Sequence, residues 1–83
     1  METRVAVMSI IISDMESTVK LNEILHTGAE YIIGRMGIPY KEKNISIISV
    51  AIDAPQDKIS EISGKIGKLP GVSIKTAYSN VSK

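Results

Sequence analysis

Arg4-Val5-Ala6-Val7-Met8-Ser9-Ile10-Ile11-Ile12 is apolar on both of its alternating sides. In an extended strand successive side chains point to opposite faces. Ala6, Met8, Ile10 and Ile12 therefore form one face, and Val5, Val7, Ser9 and Ile11 the other. A strand with one face in water alternates apolar with polar side chains. This one does not, and neither does residues 45–52, where Ile48, Val50 and Ile52 oppose Ile45, Ile47, Ser49 and Ala51. The first run is far too short to cross a bilayer as a helix, and Ser13-Asp14 ends it.

Outward from these two strands the chain is punctuated by helix signals. Ser13-x-x-Glu16 fits a capping box, in which each side chain satisfies a backbone N–H at the other's end of the first turn. The helix it predicts has Val19, Leu21, Ile24 and Leu25 as its apolar face and stops at Thr27-Gly28-Ala29, with Gly28 supplying a positive φ. Residues 31–38 read as a second strand, interrupted by Gly34 and Gly37 and ended near Pro39, which suits an edge position or a bulge. Lys41-Glu42-Lys43-Asn44 is a polar turn that makes a hairpin with the strand at 45–52. Asp53-x-x-Gln56, with Pro55 in the first turn, opens a second helix with apolar positions Ile59, Ile62, Ile66 and Leu69. Leu69-Pro70-Gly71 breaks it, and residues 72–79 alternate as a fourth strand.

The order βαββαβ predicts an α+β, ferredoxin-like sandwich in a single domain spanning 1–83. Right-handed crossovers place both helices on one face of a four-stranded antiparallel sheet, with the first and third strands in the middle. The other face is bare. Val5, Val7, Ser9, Ile11, Ile45, Ile47 and Ser49 then form an apolar patch of the kind that marks a binding surface, and self-association as a dimer or tetramer is expected there.

Composition points the same way. A chain of 83 residues buries only roughly 60% of its unfolded surface, so its core alone is marginal. With no cysteine it has no disulfide, no thiolate metal site and no thiol nucleophile. That leaves packing and association as sources of stability, and it suits a cytoplasmic protein. A net charge of +1 with both signs interspersed gives no general attraction to nucleic acid or to anionic lipid, so neither is expected as a partner.

A fold alone fixes no activity, so any chemistry has to come from particular side chains. A soft-metal chaperone needs paired thiolates, and an imidazole metal site needs more than the lone His26, which suits a helix C-terminus. RNA-reading sheets stack bases on aromatics of the central strands, whereas Tyr31, Tyr40 and Tyr78 lie elsewhere. Gly64-Lys65 and Gly67-Lys68 lack the spacing of a phosphate-binding loop. The carboxylates fall at helix ends and faces as caps and ion-pair partners. No catalytic residue, metal ligand or cofactor is assigned. Arg35, Tyr40, Lys41 and Lys43 form a positive cluster beside the Gly- and Pro-shaped bend, suited to a small anion, with a solvated hairpin as the plainer reading.

Gly34-Arg35-Met36-Gly37-Ile38-Pro39-Tyr40, Ser63-Gly64-Lys65-Ile66-Gly67 and Pro70-Gly71-Val72-Ser73-Ile74-Lys75, in that order, resemble the iron-only hydrogenase system regulators, short proteins related to ACT-type domains. Asn22-Glu23-Ile24-Leu25-His26 fits the first helix of the same family. The resemblance implies a ferredoxin-like, ACT-like fold, homo-oligomerisation through the sheet, and a regulatory, non-catalytic role exercised through a small-molecule ligand or a protein partner. Ligand-binding ACT domains carry a glycine in the loop after strand one, where this chain has Ser13-Asp14-Met15, so amino-acid sensing is not implied. Two other readings stay open: a small enzyme with an intersubunit site drawn from His26, Arg35, Tyr40 or Lys75, and a structural adaptor for another protein.

Overall fold

A computed structural model describes residues 2–82, the side chains of 80–82 excepted, so the expected span of 1–83 runs one residue beyond the described range at each end. The elements are β1 (Arg4–Ile12), α1 (Ser17–Thr27), a 3-10 turn (Ala29–Tyr31), β2 (Ile32–Tyr40), a second 3-10 turn (Lys41–Lys43), β3 (Ile45–Ala54), α2 (Gln56–Gly67) and β4 (Val72–Ser82). One antiparallel sheet runs β2-β3-β1-β4, so β1 and β3 are central and both helices cover one side. This is the βαββαβ arrangement that the sequence predicts, with Pro39 in edge strand β2, where a missing N–H costs no ladder bond.

The core lies between the sheet and the helices. Ala6, Met8, Ile10 and Ile12 of β1, Ile48, Val50, Ile52 and Ala54 of β3, Leu21 and Leu25 of α1, and Ile59, Ile62 and Ile66 of α2 are all buried in one cluster. Ile24, Tyr31, Leu69, Val72, Ile74 and Tyr78 close its margins. The three-and-four spacing of the α2 isoleucines sets that helix's buried stripe.

Local signals gave the helices but misplaced their ends. Ser13 does not cap α1. Its N–H and its hydroxyl both donate to the Gly71 carbonyl, at 2.7 and 3.0 Å. Asp14 instead accepts from the Glu16 N–H at 3.0 Å, and the helix begins at Ser17. Ser17, the one buried polar residue among the described residues, donates its hydroxyl to the Pro70 carbonyl at 2.6 Å. The β1–α1 turn is thus held by the α2–β4 turn across the molecule rather than by its own helix. At α2, Asp53 remains within β3 and Pro55 occupies the cap position with no side-chain hydrogen bond.

Two further expectations on α1 are corrected by packing. Val19 is 67% exposed, because Ser17, Leu21 and Leu25 take the buried stripe. Gly28 has φ −107°, so no left-handed turn requires it; an added Cβ there would stand 2.7 Å from the Ile62 side chain. The glycine lets α1 end close against α2. Gly71 is the position where backbone conformation matters, with φ +66° and the backbone N of Asp14 2.9 Å from a built Cβ. At the open end of the sheet, the Arg4 guanidinium lies 4.5 Å over the Tyr78 ring and donates to Gln56 at 2.9 Å, while the Gln56 amide donates to the Tyr78 hydroxyl at 3.0 Å.

Candidate functional site

Register fixes which side chains share the face away from the helices. Ile38, Ile47, Ile11 and Ser73 lie in one row across the sheet, with Met36, Ser49, Ser9 and Lys75 in the next. The row beyond runs Gly34, Ala51, Val7 and Ala77, and at its ends Tyr40 pairs with Ile45 and Val5 with Asp53. Val5, Val7, Ile11, Met36, Ile38, Tyr40 and Ile47 are all exposed. Ile45 and Ser49 are half-buried, and Ser9 is exposed. The apolar surface therefore extends over β2, β3 and β1, and turns charged only at the β4 side with Lys75 and at the far end with Asp53.

Sequence reasoning missed the contribution of β2 to this face. Ending that strand at residue 38 hid the pairing of Tyr40 with Ile45, and that pair sets the parity that brings Tyr40, Ile38 and Met36 together. The signal was the short turn: with Lys41–Lys43 as a single 3-10 turn and Asn44 left-handed at φ 56°, the strands must pair right up to it.

The expected anion cluster is divided by the same parity. Tyr40 lies on the open face, its hydroxyl donating to Glu42 at 3.3 Å, and Lys41 and Lys43 are exposed in the turn. Arg35 pairs with Val50 and so points to the helix side, where its guanidinium donates to the Asn22 side chain of α1 at 2.9 Å. Along the trough between α1 and edge strand β2 lie two spaces that share no lining residue, and this hydrogen bond joins two residues of the first. Asn22, Leu25, His26, Ala29, Ile32 and Arg35 line that one, of about 260 Å³. Ile12, Thr18, Gly37, Ile38, Pro39, Ser46 and Ile48 border the second, of about 290 Å³. Its floor is open because Gly37 carries no side chain over Ile48.

Among the described residues no group of three or more His, Asp or Glu is placed to hold a metal ion. No described helix is long and apolar enough to cross a membrane. Every buried side-chain nitrogen or oxygen among the described residues has a hydrogen-bond partner. His26 is exposed in the last turn of α1, away from Tyr40 and Lys75 on the other side of the sheet.

Residues 4–76 match the model of the TM1266-like family, described as "Iron-only hydrogenase system regulator, putative". The chain belongs to this family. The uncharacterised protein TM1266 from Thermotoga maritima has the same fold, with a TM-score of 0.89 and 33% identity over 93% of this chain and 98% of that one. A formyltetrahydrofolate deformylase from Pseudomonas putida KT2440 shares the fold at 13% identity and a TM-score of 0.67, over 93% of this chain but 29% of the enzyme. An unknown protein from Galdieria sulphuraria does so at 18% and 0.66, over 96% of this chain and 47% of that one. At such identities the last two carry the fold alone. None of the curated proteins matches the chain.

Proposed function

We propose that this member of the family is a non-catalytic regulatory module linked to an iron-only hydrogenase system, and that it works as a homo-oligomer joined through the open face of its sheet. The observation that carries this reading is the exposed patch of Val7, Ile11, Met36, Ile38 and Ile47, continuous across three strands. Contiguous apolar surface of this extent on a small protein marks an interaction site. A second copy fits it chemically, because the patch is self-complementary in being apolar, and a two-fold interface needs only one surface.

The family's name supports the regulatory half of the proposal. The non-catalytic half is supported by the separation of the side chains that chemistry would need: Arg35 and His26 belong to the helix side and Tyr40 and Lys75 to the open face. Light scattering on the purified chain tests the assembly. The expected mass at micromolar concentration is a multiple of the 9.0 kDa chain, a dimer or a tetramer. A single-chain mass throughout that range removes the proposal's physical basis.

A further inference from the structure

The trough between α1 and β2 has a head and a tail of different chemistry. At the head stands Arg35, and among the described residues its only partner is the neutral Asn22 side chain; the described ion pairs, Lys58–Glu61 and Lys65–Glu61, are both on α2. A guanidinium has five N–H donors in a planar fork that matches a carboxylate with two parallel bonds. One donor bond to an amide oxygen leaves most of that fork unused. His26, one turn along α1 from Asn22, borders the same space and offers a further N–H.

The tail end begins two residues on along β2. Gly37 shares Arg35's face of the strand, about 7 Å away at the usual strand rise. There the borders are Ile12, Gly37, Ile38, Pro39 and Ile48, with Thr18 and Ser46 as the polar members. An added Cβ at Gly37 would come no nearer than 4.0 Å to Ile48, so the glycine is required neither by its backbone angle nor by crowding. What its missing side chain leaves is an apolar recess within the reach of a short alkyl chain from Arg35.

We propose that this trough is a binding site for a small carboxylate with a short alkyl tail, the carboxylate taken by Arg35 in place of its bond to Asn22 and the tail laid over Gly37 against Ile48. The site lies within one chain and on the helix side of the sheet, and of the patch residues only Ile38 borders it.

Calorimetric titration of the wild-type chain with acetate, butyrate, hexanoate and inorganic phosphate tests it, with amide chemical shifts as the map. Affinity is expected to rise about fifteenfold from butyrate to hexanoate, given roughly fourfold for each of the two methylenes buried. Shifts should fall on Asn22, Arg35 and Gly37. Arg35→Met should weaken hexanoate at least tenfold, and Arg35→Lys, which keeps the charge and loses the fork, severalfold. Gly37→Val should flatten the dependence on tail length while acetate binding holds; unchanged circular dichroism and melting would show that each variant is folded. The proposal is overturned if hexanoate shows no saturable binding, if phosphate binds as tightly as hexanoate, or if either the Arg35→Met or the Gly37→Val protein binds hexanoate like wild type.

Discussion

Replacing Ile11 and Ile47 together by lysine should take the assembly apart and leave the fold standing. The two side chains are cross-strand neighbours on the open face, 44% and 37% exposed in the isolated chain. Full burial of an isoleucine is worth about 2.5 kcal/mol, so the part still in water corresponds to about 1 kcal/mol for each. A two-fold interface counts each residue twice, giving roughly 4 kcal/mol of gross attraction from four side chains. At 1.4 kcal/mol per decade, that is about three decades in the dissociation constant, before the cost of desolvating the new ammonium groups. Because both positions are already half in water, the stability of the single chain should change by no more than about 1 kcal/mol. Light scattering over a concentration series, with urea unfolding of the same samples, reads both quantities. A double variant that assembles with wild-type affinity, or one that fails to fold at all, would refute the reasoning.

Other positions test the packing. Gly71→Ala puts a side chain on a residue at φ +66° with a built Cβ 2.6 Å from that of Asp14, and should cost about 1–3 kcal/mol or more by urea unfolding. Gly28→Ala should cost less, because the obstacle is the mobile end of Ile62 rather than backbone; a loss equal to that of Gly71→Ala would show that Ile62 does not yield. Ile10→Ala, in the fully buried centre of β1, should lower stability by about 2–5 kcal/mol. Glu61→Gln removes a carboxylate shared by Lys58 and Lys65 on an exposed helix face and should change stability by less than about 0.5 kcal/mol, a small effect that salt should erase.

What was legible in the sequence was whatever depends on period. The two-residue period of β1 and β3 told which side chains share a face, and the spacing of Ile59, Ile62 and Ile66 told which side of α2 is buried. What was not legible depended on partners distant in the chain. Ser13 looked like a helix cap because its spacing to Glu16 is right, yet its hydroxyl finds the carbonyl of Gly71, 58 residues away, and no local pattern reports that choice. Val19 looked like core because it is apolar and near the right phase, yet Ser17 takes the buried place through its bond to Pro70. At the candidate site, the residue types were readable and their grouping was not. Arg35 and Tyr40 are five apart in one strand, and an odd interval in a strand sends them to opposite faces. Cutting the strand at residue 38 obscured that rule.

The central place of β1 bears on how the chain is made. Synthesis delivers this strand before either of its neighbours, one of which begins at Ile45 and the other at Val72. A nascent chain therefore carries a run of isoleucines and valines whose one edge is open until β3 is made and whose other edge is open until β4 follows. Such delayed, long-range strand pairing slows folding and invites capture by other exposed strands. The same greasy strand that gives the finished molecule its core thus makes the unfinished one a natural client for chaperones.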